Sequence, residues 1–160
     1  MADARIYADL KRDHDKQRDL LERLATEQDG TRRRTLFEEL RLELQSHAAA
    51  EEESLYATML ARPELRDDAR HSIAEHKEVD DILGELMELD PTSTDWEEKF
   101  VHLRHRYEHH IDEEEEEMFP AAADKLDPAT EEKLADTYET RKPEERAFAI
   151  DNPPGADERE

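Results

Sequence analysis

The stripe Phe37, Leu40, Leu44, His47, Glu51, Leu55 recurs 63 residues later as Phe100, Leu103, Tyr107, His110, Glu114, Met118, and every position keeps its chemical class. Steps of three and four residues place each set on one face of an α-helix. A second correspondence, at a shift of 62, carries His14, Leu21 and Leu24 onto His76, Leu83 and Leu86. One helical hairpin is thus written twice. The composition is 43% charged, which by itself would suit a disordered chain, but three glycines in 160 residues and an abundance of Leu, Ala, Glu, Lys and Arg favour helix. The pattern predicts helices over residues 3–28, 31–61, 63–89 and 94–120. Asp29-Gly30, Pro63 and the Asp90-Pro91-Thr92-Ser93-Thr94 loop punctuate them, with Thr94 as N-cap and Glu97 as its capping-box partner. Asp127-Pro128 caps a short fifth helix to about residue 142. The expected fold is all-α: an up-down-up-down four-helix bundle with a short C-terminal helix. Residues 1–142 form the domain and residues 143–160, with three prolines and many charges, a flexible tail.

Charge narrows the function classes. Asp and Glu number 46 against 23 Lys and Arg, a formal net charge of −23. Such a surface repels phosphate backbones and anionic headgroups, so nucleic acid and membranes are not expected partners. The first residues lack the apolar core of a signal peptide and no apolar run approaches a membrane span, so a cytoplasmic location is expected. Without cysteine there is no disulfide, thiolate nucleophile or sulfur-ligated metal, which leaves eight histidines and the surplus carboxylates.

Six of these polar residues fall on the apolar arcs. His110 and Glu114 lie within roughly 60° of Phe100, Leu103, Tyr107 and Met118, and His47 with Glu51 repeats the arrangement. His14 and His76 share the stripes of their own helices. Burying a carboxylate without a partner costs several kcal/mol, and an unpaired imidazole forfeits its water hydrogen bonds. Either a closed hydrogen-bond network or metal ions must compensate. The His-x-x-x-Glu spacing favours metal, because residues four apart stack on one face and reach one centre. Imidazole and oxygen donors without sulfur suit iron, manganese or zinc. Six ligands exceed one tetrahedral zinc and would close one octahedral ion. Shared between two ions, with both carboxylates bridging, they leave positions open, and iron is preferred over manganese or zinc.

These residues stand in recognisable text: Asp13-His14, then His47-Ala48-Ala49-Ala50-Glu51-Glu52, then Glu75-His76, then His110-Ile111-Asp112-Glu113-Glu114-Glu115 followed by Met118-Phe119-Pro120. Over residues 6–120 the chain resembles the hemerythrin-like proteins, the HHE cation-binding domain family. The resemblance implies a non-haem di-iron centre, oxo- or hydroxo-bridged, with His14, His47, His76 and His110 as terminal ligands and Glu51 and Glu114 as bridges. Oxygen-carrying members have a second histidine four residues after the one on the third helix, where this chain has Asp80. That departure argues against simple reversible oxygen carriage, and Asp80, on the inward arc, is a candidate further ligand.

The remaining histidines, His71, His102, His105 and His109, fall on polar faces and are assigned to solvent, as are the neighbours of Glu114 in the run from 113 to 117. Tyr107 is first a core residue; Tyr7 and Tyr56, at stripe edges, are candidates for lining an access path. Three functions remain open. The first is a binder or sensor of O2, hydrogen peroxide or NO, monomeric or a weak homodimer. The second is a peroxide-detoxifying, catalase-like enzyme, and the third a metal-free structural bundle.

Overall fold

A computed structural model describes residues 3–155. The fold is all-α, with five helices and no strand among the described residues. Helix α1 spans Arg5–Thr26. Helix α2 runs over Gly30–Glu51, passes through a π-helical turn at Glu52–Tyr56, and ends with Ala57–Leu60. Helix α3 spans Arg66–Met87. Helix α4 repeats the plan of α2: Thr94–Glu113, a π turn at Glu114–Met118, then Phe119–Lys125. Helix α5 spans Pro128–Asp151. The contacts α1 with α2, α2 with α3, α3 with α4 and α4 with α1 close a ring of four helices, and α5 lies along α2 and α1.

Helix starts follow side-chain chemistry. Asp29 accepts from Arg32 N at 3.0 Å and Asp127 accepts from Thr130 N at 2.7 Å, so each caps the helix that follows. The N-cap of α4 is Ser93, not Thr94: its hydroxyl accepts from Trp96 N at 3.1 Å. Thr92, one residue earlier, is held by Asp90, which fixes the loop a residue ahead of the expected cap. Helix α3 begins at Arg66 instead of Pro63, because successive turns over residues 58–65 carry Leu65 into the core.

The interior has two apolar layers. One is built on Ile6, Leu10, Leu55, Met59, Leu65, Ala69, Met118 and Phe119, with Leu134, Ala135 and Tyr138 from α5. The other is built on Leu21, Leu24, Phe37, Leu40, Leu44, Leu83, Leu86, Trp96, Phe100 and Leu103. On each ring helix the inward histidine sits in sequence between residues of the first layer and residues of the second. A polar layer is therefore walled by apolar side chains above and below.

The C-terminal region departs from expectation. Helix α5 is 24 residues long and continues through Pro143. Proline inside a helix removes one hydrogen bond and costs about 3 kcal/mol in isolation. Here Pro143 is exposed, and packing of Leu134, Ala135, Tyr138 and Ala149 holds the helix on either side. Arg41 Nη1 donates to Ala149 O at 2.5 Å and Gln45 Nε2 to Asn152 O at 3.0 Å. Beyond the helix, Gly155, at φ 80°, approaches Gly84 closely: a Cβ on Gly84 would lie 2.9 Å from Pro154 O and 3.0 Å from Gly155 Cα, and one on Gly155 would lie 3.1 Å from Gly84 Cα. Residues 143–155 thus pack against α2 and α3; the last five residues of the expected tail lie outside the described residues.

Candidate metal centre

His14, His47, Glu51, His76, His110 and Glu114 converge in the polar layer, each at most 7% exposed. The imidazoles form two pairs: the rings of His14 and His47 are 5.2 Å apart, those of His76 and His110 4.8 Å. Each carboxylate touches one member of each pair. Glu114 Oε1 lies 3.4 Å from His14 Nε2 and 3.2 Å from His110 Nε2. Glu51 Oε1 lies 3.2 Å from His76 Nε2 and 3.7 Å from His47 Nε2. Donor atoms of His14, His47, Glu51 and Glu114 all fall within 4.8 Å of one another, as do those of Glu51, His76 and His110.

These contacts are close enough for charge but poorly aligned for hydrogen bonds. The Nε2 atoms of all four histidines, both oxygens of Glu51 and Oε1 of Glu114 are buried without a hydrogen-bond partner. Among the described residues only Tyr7 OH and Asp9 Oδ2 share that condition, so the unsatisfied atoms are concentrated at one place. Buried polar groups are almost always satisfied, and an unsatisfied one costs about 1–3 kcal/mol. Seven in one layer mark a site awaiting a partner.

The far side of each ring is fully engaged. His14 Nδ1 meets Glu115 Oε2 at 2.6 Å, His76 Nδ1 meets Glu52 Oε2 at 2.8 Å, and His110 Nδ1 meets Glu75 Oε1 at 2.9 Å. His47 Nδ1 lies 2.7 Å from Tyr138 OH and 3.3 Å from Asp13 Oδ2. Carboxylates at Nδ1 fix the hydrogen there and aim the Nε2 lone pair inward, the arrangement found around metal-bound histidines. Asp13 is in turn held by Tyr138, which donates to it, and by Lys142 at 2.8 Å. Lys142 also pairs with the buried Glu43 at 2.9 Å, and Gln17 donates to Glu43 at 2.8 Å while accepting from Tyr107. On the remaining oxygen of Glu114, Tyr56 donates a hydrogen bond.

Protein groups alone settle this cluster by dividing charge. Burial, reinforced by Glu114, raises the Glu51 carboxyl well above its ordinary value and keeps it neutral. Burial also opposes ionisation of Glu114, but His110 and His14 outweigh it and hold that carboxylate far below the usual range. Burial works against His110 as well, yet Glu114 and Glu75 push it up to about 9. His14 is raised against the same penalty by Glu114 and Glu115. His47 goes the other way, lowered by burial.

Of the residues singled out in the sequence, these six come together and Asp80 does not. Its Oδ2 accepts from Gly155 N at 2.8 Å, so it fastens the C-terminal segment to α3. Glu115, assigned to solvent, turns inward to His14. Tyr56 and Tyr7 are buried, and Tyr56 touches the site. The outer carboxylates carry their own sequence signal: Asp13, Glu52, Glu75 and Glu115 each adjoin an inward residue and repeat at the same shifts of 62 and 63. Tyr138 and Lys142 stand outside the repeat and had none. A cleft of about 370 Å³ on the outer side, between α1, α2 and α5, is lined by Asp13, Glu43, Tyr138 and Lys142.

The hemerythrin HHE cation-binding domain matches residues 5–122. The chain belongs to this family. A crystal structure of a hemerythrin HHE cation-binding domain-containing protein, the Rv2633c homolog from Mycobacterium kansasii, superposes with a TM-score of 0.79 at 28% identity. The match covers 94% of this chain and 91% of that one, so the likeness extends past the family domain into α5. No curated protein sequence matches. The family is a cation-binding one, and the inward His and Glu groups of this chain form a buried cluster of the metal-ligating type. Among the described residues no helix is long and apolar enough to cross a membrane.

Proposed function

We propose that the polar layer holds two iron ions. His14 and His47 would serve one and His76 and His110 the other, with Glu51 and Glu114 shared between them. The observation that carries this reading is the set of seven buried donor atoms with no partner, divided into two imidazole pairs that each carboxylate spans. A purely structural bundle would leave these seven atoms without hydrogen-bond partners. Bound iron supplies Lewis acidity and one-electron exchange between ferrous and ferric states. The chain's own part is to fix the rings from Nδ1, to keep both layers around the site apolar, and to give up the protons that His14 and His110 carry when no metal is present.

In this reading the protein reacts with or senses a small oxidant, O2, hydrogen peroxide or NO, and is not a simple oxygen carrier. Asp80 occupies the position of the carriers' further histidine and is committed to Gly155, so it does not complete the ligand set. A second reading, turnover of hydrogen peroxide, draws on Tyr56. Burial raises its phenol well above the ordinary value, and it keeps a proton beside Glu114 at the centre.

Iron analysis of purified protein tests the binding claim. About two ions per chain are expected in the wild type, fewer in His47→Ala and Glu114→Ala, and no change in His105→Ala. Equal losses in all three variants would overturn it. Oxygen evolution from peroxide by the iron-loaded protein, faster than by free iron, would select the enzymatic reading; its absence would leave the sensor.

A further inference from the structure

The His-x-x-x-Glu spacing that defines the buried cluster occurs twice more, facing outward. His71 and Glu75 stand four apart on α3, and His109 and Glu113 four apart on α4. The two helices pack so that these pairs meet. His71 Nε2 lies 3.0 Å from Glu113 Oε1 and 3.5 Å from Glu75 Oε1, and His109 Nε2 lies 3.3 Å from Glu113 Oε2. Donor atoms of His71, Glu75 and Glu113 lie within 4.8 Å of one another. His71 and His109 are more than half exposed, whereas the Glu75 and Glu113 side chains are 11% and 23% exposed and are thus anchored.

We propose that His71, Glu75 and Glu113, with His109 at the rim, form a second, solvent-open site for a first-row divalent cation, distinct from the buried cluster. Donor atoms separated by 3.0–3.5 Å are spanned by one ion at about 2.1 Å from each, the ordinary bond length for zinc to imidazole or carboxylate. One imidazole and two carboxylates leave a coordination position to water or to His109. The site also touches the interior. Glu75 Oε1, the oxygen nearest His71, is the same atom that meets His110 Nδ1 at 2.9 Å. A cation on that oxygen withdraws electron density from it and weakens its hold on His110, so outer occupancy alters an inner imidazole's donor strength. By linkage, metal in the inner cluster alters outer affinity by the same factor. The link rests on the iron reading above; the outer site itself does not.

The test is calorimetric titration of the full-length, iron-loaded protein with Zn2+. One additional ion per chain is expected. His71→Ala and Glu113→Gln should each weaken it by at least the roughly tenfold that even outer partners of a metal site cost, and His105→Ala should leave it unchanged. Zn2+ should shift the absorption of the iron centre in the wild type and not in His71→Ala. Circular dichroism confirms that these surface variants stay folded. No heat from an additional ion, or equal affinity in wild type, His71→Ala and Glu113→Gln, would overturn the proposal, as would weakening by His105→Ala to the same degree. If the protein took up no iron, the reading of the buried centre would fall. Titration of the metal-free protein would still support the outer site if His71→Ala removed one Zn2+ from the total, and would overturn it if the total were unchanged.

Discussion

Replacing Glu51 by methionine should make the metal-free protein more stable while abolishing its response to metal. Glu51 is fully buried and both its oxygens lack hydrogen-bond partners. Each such atom costs about 1–3 kcal/mol, and methionine fills a similar shape with an adaptable apolar chain. Against that gain stand the lost attraction to His76, 3.2 Å away, and imperfect packing among four imidazoles. The expected net gain is about 2 kcal/mol, which for a chain of this size raises the melting temperature by roughly 4–8 °C. Thermal and urea unfolding of chelator-treated protein measures it. Ferrous iron should then reverse the order, because binding to the folded state alone stabilises the wild type and finds no complete ligand set in the variant. A metal-free Glu51→Met protein less stable than wild type by 1 kcal/mol or more would refute the reasoning, since it would show that the Glu51 oxygens were already satisfied.

Other perturbations read different parts of the structure. Tyr138→Phe removes the hydroxyl that meets His47 Nδ1 and Asp13 but leaves Asp13 paired with Lys142; iron affinity by chelator competition should fall about 10–100-fold, with a stability loss near 1 kcal/mol, and unchanged affinity would remove Tyr138 from the site. Asp80→Ala should keep its iron while amide exchange at Gly155 accelerates; loss of iron would return Asp80 to the ligand set. The metal-free protein should weaken as pH rises. His110, raised from 6.5 to about 9, binds its proton more tightly folded than unfolded, so its contribution is complete below about 6.5 and lost as pH climbs through about 9. The raised Glu51 acts in the same direction, its neutral form being favoured in the fold above 4.5. The His110 gap is worth on the order of 3 kcal/mol; a urea midpoint that stays level or rises between pH 6.5 and 9 would contradict it, while iron-induced stabilisation should grow over the same window.

The repeat made the helical class and the six inward residues legible, because periodicity reports directly on which side chain faces which. Its 63-residue shift also pairs Glu52 with Glu115: each looks like a member of a solvated acidic run, yet each adjoins an inward glutamate and meets an imidazole of the site. The π turns at Glu52–Tyr56 and Glu114–Met118 left no mark in the pattern, yet each begins at or just after an inward glutamate. Wide turns of this kind recur at functional sites. Helix length departs from the local pattern where tertiary contacts override it. Pro143 and its charged surroundings read as the end of order, whereas packing against α2 and the Arg41 bond to Ala149 O carry α5 to Asp151. The Gly84 and Gly155 contact, with Asp80 closing it, is a long-range docking that no local spacing announces. His71 and His109 lie outside, as their place on the polar faces indicates.

Anomalous scattering at the iron edge from a crystal of the iron-loaded protein tests the central claim most directly. Two strong peaks are expected inside the ring of helices, one beside Nε2 of His14 and His47 and one beside Nε2 of His76 and His110. A single interior peak, or iron found only on the acidic exterior, would contradict the account.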